Sequence, residues 1–201
     1  MDPAGPAART VDTLHWVMFA GLCAITALVL GLLALAFRKR ERGSSSARPW
    51  IIGGGLVFPG VVLAGLLAYA LWLGEELQPH DRVPPVRVEA ESSQYLWTFR
   101  HPGPGDAVIV SRDTLHIPAG RPVDVVLTSR DVVHSFWVPR LAGKMDAIPG
   151  HENVLRIEAN VPGIYPGICA EYCGIGHSRH GFRVIAHDPA SWAGFQQGGE
   201  G

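Results

Sequence analysis

Residues 14–37 and 50–73 form two stretches of 24 residues each without a charged side chain. About 20 apolar residues in a helix span a bilayer, so both stretches read as transmembrane helices. The segment between them carries Arg38, Lys39, Arg40, Arg42 and Arg48 against one acid, Glu41. The outer flanks hold Asp2, Asp12, Glu75 and Glu76, with Arg9 as the one nearby base. Basic residues stay on the cytoplasmic side, so the hairpin loop is expected inside and both termini outside. A cleavable leader, suggested by Ala34-Leu35-Ala36, fits poorly. The preceding residues are not basic, the apolar run is too long, and a stop-transfer block follows at once. The second span holds Gly53, Gly54, Gly55, Pro59, Gly60 and Gly65. Small residues let helices approach closely in lipid, so this span is expected to pack on another membrane protein.

Beyond the spans the pattern changes. Residues 74–85, with Pro79, Pro84 and Pro85, read as a stiff polar linker. From residue 86 to 187, short runs alternate with period two, as at Val123, Val125 and Leu127, at Leu155, Ile157 and Ala159, and at Phe182, Val184 and Ala186. The pairs Ala119-Gly120, Pro149-Gly150 and Pro162-Gly163 punctuate them, which predicts an all-β antiparallel sandwich or barrel. The expected organisation is an external N-terminus (1–13), a transmembrane helical hairpin (14–73), the linker (74–85), the β domain (86–187) and a tail (188–201). That tail is expected to hold a short helical stretch near residues 190–196 and then fray. The formal charge of −1 over 201 residues argues against nucleic acid as a partner.

Near the end of the domain stands Cys169-Ala170-Glu171-Tyr172-Cys173-Gly174-Ile175-Gly176-His177, preceded upstream by Asp131-Val132-Val133-His134. Thiolate plus imidazole is the ligand set of copper or zinc. The three residues between the cysteines match neither the usual zinc spacing nor a blue-copper site with its single cysteine. Read from the residues alone, a disulfide in an exported domain and a structural zinc site both stay open. Cys23 lies mid-span and behaves as a small hydrophobe.

The motif C-x-E-x-C-G-x-x-H, following D-V-x-H-S-F-W-V-P and K-M-D-A-I-P-G, resembles subunit II of the haem–copper oxidases over residues 14–187. The resemblance implies a cupredoxin-like fold and a binuclear copper centre, CuA. Its metal ligands would be His134, Cys169, Cys173 and His177, with the Glu171 carbonyl as a weak donor. Where the family carries a methionine ligand, this chain has His180. His180 is therefore taken as a ligand in its place, and Met145 is expected to take no ligand role. The resemblance further implies a large haem-binding membrane subunit as partner and cytochrome c or a small copper protein as donor. A magnesium ion held through the Glu171 carboxylate at the subunit interface is implied as well. The stretch Gln94-Tyr95-Leu96-Trp97-Thr98-Phe99 stands where the family takes up electrons, which makes Tyr95 and Trp97 the candidates. Lys144 and Asp146 are expected near the interface, and His151 stands where many relatives have arginine. Asp131 is expected to orient the region around His134 by hydrogen bonding.

The implied function is electron transfer in a terminal respiratory oxidase, an oxidoreductase complex that reduces oxygen to water. The implied location is a bacterial-type cytoplasmic membrane, with the copper domain outside and the spans in contact with lipid. Two other readings keep the copper site: the CuA subunit of a nitric oxide reductase, and a non-catalytic membrane-tethered copper-binding or copper-delivery protein. His15, His80, His101, His116 and His187 belong to no motif and are expected at the surface or in interfaces.

Overall fold

The computed structural model describes residues 2–38, 46–76 and 84–198. They divide into two compact units, Thr13–Gln78 on one hand and Met1–Asp12 with Pro79–Gly201 on the other.

The apolar unit consists of helices. Helix α1 runs Pro6–Arg38; Trp50–Val57 is a π-helical stretch that continues directly as α2, Phe58–Glu76. Both spans are long and apolar enough to cross a bilayer, and their apolar side chains point outward rather than into a core. The wide turn is confirmed at Phe58, whose N–H donates to the carbonyl of Gly53. Gly53, Gly54 and Gly55 put no side chains in the way of that wider winding. Helix α1 starts well before the charge-free run because Arg9, Thr10, Asp12 and Thr13 are residues a helix end accepts outside hydrocarbon. Pro6, its first residue, suits that position, since its missing N–H would have had no helical acceptor. At the other end Gly74, Glu75 and Glu76 still belong to α2, whereas 77–83, most of the expected linker, and 39–45, most of the basic block, lie outside the described residues.

The second unit is a sandwich of ten strands: β1 Val86–Ser93, β2 Leu96–Pro102, β3 Val108–Arg112, β4 Thr114–Pro118, β5 Val123–Ser129, β6 His134–Trp137, β7 Met145–Ala147, β8 Asn153–Ile157, β9 Gly163–Cys169 and β10 Gly181–His187. One sheet has the order β3-β2-β1-β5-β8 and the other β4-β10-β9-β6-β7. Most neighbours are antiparallel, as the short strands suggested, but β1 pairs with β5 and β4 with β10 in parallel. Each parallel pair is joined through intervening strands, as parallel neighbours require a crossover. Alternate residues of strands such as β1 and β2 fill the space between the sheets. Val88, Trp97, Phe99, Leu115, Val125, Phe136 and Val184 are buried there. Trp97, Phe99, Phe136 and Phe182 make an aromatic block, with Phe136 and Phe182 ring centres 4.6 Å apart.

Residues at both chain ends are tied to this unit. Ala4 and Gly5 donate their N–H groups to the Arg140 carbonyl, Ala8 donates to Leu141, and Asn160 donates to Ala4. Asp2 and Arg140 form an ion pair at 2.5 Å. A Cβ on Gly5 would run into the carbonyls of Glu158 and Leu141, so the close approach requires glycine. At the C-terminus, Asp188 caps α3, Pro189–Gln196, by accepting from the N–H groups of Ala190 and Ser191. The helix stands where it was expected and docks on the sandwich through buried Trp192 and Phe195, while 199–201, in the stretch expected to fray after it, lie outside the described residues. Phe195 stacks on His116 at 4.2 Å, and His116 Nδ1 lies 2.8 Å from His187 Nε2. His101 accepts from the His116 N–H and faces the Ile109 carbonyl. These three histidines are therefore buried within the domain, against the expectation of surface or interface positions, while His80 lies outside the described residues. Their residues come from β2, β4 and β10, and only the fold brings them together.

Candidate metal centre

The cysteine loop is the connection of a hairpin. Strands β9 and β10 pair with Gly181 opposite Ile168, and the loop between them is closed by the Cys169 N–H donating to the His180 carbonyl at 2.9 Å. Inside the loop, His177–Arg179 forms one 3₁₀ turn, with the His177 N–H on Gly174 and the His180 N–H on His177. His134 arrives from the start of β6. The two strands that carry His134 and Cys169 are neighbours, and the Ala170 N–H donates to the Ser135 carbonyl.

These constraints bring the donors together, with His134, Cys169, Cys173 and His180 buried and Glu171 and His177 half-buried. Cys169 and Cys173 Sγ are 3.9 Å apart, His134 Nδ1 is 3.8 Å from Cys169 Sγ, and His177 Nδ1 and His180 Nδ1 each lie 3.6 Å from Cys173 Sγ. The Glu171 carbonyl is 3.3 Å from Cys169 Sγ. The cysteines are free, not joined in a disulfide. The ligand atoms of His134, Cys169, Cys173 and His180 all lie within 4.8 Å of one another. Met145 is elsewhere, opposite Phe136 on β7 and packed against the hydrophobic core.

Neighbouring groups set ring orientation and charge. Asp131 Oδ1 lies 2.8 Å from His134 Nε2. A proton held there leaves the Nδ1 lone pair facing the sulfurs, the arrangement in which a carboxylate behind a histidine fixes its tautomer. Burial alone would raise the Asp131 carboxyl, but hydrogen bonds from His134 and from the N–H groups of Gln94 and Val132 outweigh it and hold the group at about 2. Burial, reinforced by Cys169, pushes the Cys173 thiol up to about 11. Without a metal the thiol keeps its proton, and an ion that binds must displace it. Burial also lowers the His180 imidazole, with His134 adding to the effect. Its ring stacks on Trp97 at 5.6 Å, and its Nε2 makes no well-formed hydrogen bond among the described residues.

Gln94 is the residue that sequence reasoning passed over. Its backbone N–H donates to Asp131 and its side-chain amide donates to the Cys173 carbonyl at 2.5 Å, so it braces two parts of the site at once. Nothing in its local pattern marks it, since the contacts cross 37 and 79 residues. Tyr95 lies over the cysteine loop so closely that a Cβ on Gly174 or Gly176 would collide with its ring or hydroxyl. Tyr95 is 40% exposed, whereas Trp97 is fully buried. Ile175 and Tyr172 project from the loop at 98% and 75% exposure. Glu171 pairs with Lys144 at 3.6 Å, and Lys144 also reaches Asp146 at 3.3 Å.

A two-sheet sandwich that gathers paired cysteines and histidines at the β9–β10 hairpin, on a chain with two helices long and apolar enough to cross a bilayer, defines a class of sandwich proteins with a candidate soft-metal site. The family described as cytochrome c oxidase subunit II, periplasmic domain, matches residues 95–186. Cytochrome c oxidase subunit 2 of Albinaria caerulea is 30% identical over 212 residues, covering 94% of this chain and 92% of that one. Its counterpart in Thermostichus vulcanus is 40% identical over 128 residues, covering 64% of this chain and 38% of that one. A further counterpart in Alkalihalophilus pseudofirmus is 29% identical, covering 92% and 57%. The chain thus spans well under two thirds of the length of the latter two. A chain of a haem–copper terminal oxidase dimer superposes with a TM-score of 0.51 at 25% identity, covering 67% of this chain and 98% of that one. The periplasmic domain of subunit II from Bradyrhizobium japonicum shares the fold, with a TM-score of 0.52 at 23% identity, covering 60% and 94%. The chain belongs to the cytochrome c oxidase subunit II family.

Proposed function

We propose that this chain is the electron-transfer subunit of a terminal respiratory oxidase. It takes electrons from cytochrome c, or from a small copper protein, and passes them to haem in the large membrane subunit, where oxygen is reduced to water. One observation carries the reading: two donor sets share the same pair of sulfurs. Cys169 and Cys173 would hold two copper ions, with His134 and His180 on one side and His177 and the Glu171 carbonyl on the other. When bound, such a pair supplies one-electron storage with little change in bond lengths, because the electron is shared over two metals and two sulfurs.

The chain's own part is to hold that donor set still and dry. Both thiols, His134 and His180 are buried. The loop is closed on itself through Cys169 and His180, braced by Gln94 and backed by Asp131. Positions fixed in advance spare reorganisation when charge arrives. Tyr95 bridges the surface and the site, which supports it as the point where electrons enter, with buried Trp97 packing the inner side of His180. Exposed Ile175 and Tyr172 give the loop tip an apolar surface of the kind partners dock on. The Glu171 carboxylate, accessible beside Lys144 and Asp146, is assigned to a magnesium ion at the interface with the large subunit. The sandwich stands outside a bacterial-type cytoplasmic membrane, and α1 and α2 lie in lipid.

The test is copper analysis with electron paramagnetic resonance on the purified chain in detergent. Two coppers per chain and one unpaired electron shared equally or nearly so by both are expected. One copper at saturation, with an ordinary mononuclear signal, would overturn the reading.

A further inference from the structure

The two donor sets are unequal, and the inequality is a property of this chain's own residues. On one side, His134, Cys169, Cys173 and His180 contribute four strong donors, every ligand atom within 4.8 Å of every other. On the other side the same thiols are joined by His177 and a backbone carbonyl, which carries no full charge and is a poor ligand for a thiophilic ion. His177 is not part of the compact group.

Three of the separations within the compact group match those around a single tetrahedral ion. Zinc bonds of about 2.3 Å to sulfur and 2.0–2.1 Å to nitrogen, at tetrahedral angles, put two sulfurs about 3.8 Å apart and sulfur about 3.6 Å from nitrogen. The observed separations are 3.9 Å between Cys169 and Cys173, 3.8 Å between Cys169 and His134, and 3.6 Å between Cys173 and His180. All four residues are buried, so no water is needed to complete the coordination. Two thiolates and two imidazoles in a closed tetrahedron are a structural zinc set.

We propose that His134, Cys169, Cys173 and His180 form a complete site for one zinc ion, and that this half of the centre fills first and holds its ion more tightly than the half built on His177. The inference rests on reading the thiolate loop as a metal centre, and it adds an order of loading and a competitor. A zinc ion seated there occupies both thiolates and leaves the second position with only His177 and the Glu171 carbonyl of its own. The chain in this state cannot take up a copper pair until zinc is removed.

The experiment titrates the metal-free full chain in detergent with Zn²⁺ against a chromophoric chelator, counts bound ions by native mass spectrometry, and reads donor atoms by zinc-edge X-ray absorption. One zinc per chain with two sulfur and two nitrogen neighbours is expected. His180→Ala should weaken binding by more than about 100-fold, since even groups behind a ligand are worth roughly 10–100-fold. His177→Ala should change it by less than about threefold, because its nitrogen is outside the set. His180→Ala chains that keep their far-ultraviolet circular dichroism report lost ligation rather than lost folding. If that variant unfolds, the zinc-edge spectrum of the unmutated chain and the affinity of His177→Ala decide alone. Equal losses in the two variants, or two zinc ions of equal affinity, would overturn the proposal. Failure to form a copper pair in the parallel resonance experiment would sink the electron-transfer reading and leave the zinc result standing, so the two are separable.

Discussion

At the scale of single residues, the cysteines and His180 have different roles. Either Cys169→Ser or Cys173→Ser removes a sulfur that both coppers of the proposed pair would share, so copper content should fall to one or none and the shared-electron signal should vanish. Metal analysis and resonance spectra on the purified variants check this. His180→Met is subtler. Imidazole is a harder and stronger donor than a thioether and favours the more oxidised copper, so the variant should show a higher reduction potential and a more even sharing of the electron. Voltammetry on copper-loaded protein of equal metal content measures it, and unchanged potential and spectra would mean that His180 does not bind. Tyr95→Ala tests the surface end. Truncating an aromatic anchor at an interface costs about 1.4 kcal/mol or more, so the second-order rate of reduction by the donor should fall about tenfold while the copper signal stays intact. The thiolate pair, His134 and His177 were legible from spacing and family resemblance. Gln94 was not, because its hydrogen bonds join three connecting loops, β1–β2, β5–β6 and β9–β10, that the sequence does not show to be neighbours.

At the scale of elements, helix α3 and the three histidines beneath it form one unit. Burial holds His101 and His116 at about 4, with the coulombic effect of neighbouring histidines adding to it, and lowers His187 as well. In the unfolded chain an imidazole titrates near its ordinary 6.5. The unfolded state therefore binds protons first as the medium is acidified. Their contribution to stability is complete above about pH 6.5 and is lost as pH falls from there towards 4. Thermal unfolding followed between pH 7.5 and 4.5 should show a falling midpoint, and the slope should be shallower in His116→Asn, which has no charge to acquire. Phe195→Ala should cost about 2–3 kcal/mol of stability, the value of burying one large apolar side chain, as chemical denaturation would report. Strands with period-two apolar positions, such as Val123–Ser129 and Gly181–His187, were readable from the sequence. The docking of α3 was not, since a stretch of eight residues carries no face of its own until His116 and His187 are placed beneath it.

At the scale of the whole molecule, the distribution of charge makes a prediction about sidedness. The basic block 38–48 should lie in the cytoplasm and the amino terminus and sandwich outside. Ser45→Cys, in a chain whose Cys23 is replaced by alanine, should resist an impermeant maleimide in intact cells and react once the membrane is opened. Reaction from outside beyond that of the same chain without Ser45→Cys, which still carries Cys169 and Cys173, would invert the assignment. The two spans were plain in the sequence because charge-free runs of that length have few other uses. The first helix nevertheless begins at Pro6, because polar residues flanking a span are compatible with helix and hide its start from a count of charges.

The ligand loop is also a hairpin loop, and this bears on how the donors assemble. Five of the six donor positions fall within residues 169–180: Cys169 ends β9, and Glu171, Cys173, His177 and His180 lie in the connection to β10, the strand that pairs directly with it. Gathering distant groups around an ion normally requires closing long segments of chain, at an entropic cost that grows with their length. Here the β9–β10 ladder has already closed the segment, and only His134 must arrive from afar. The centre is therefore local in the chain although most of its donors are buried. Substitutions within those twelve positions can change what the site binds without altering how the sandwich folds.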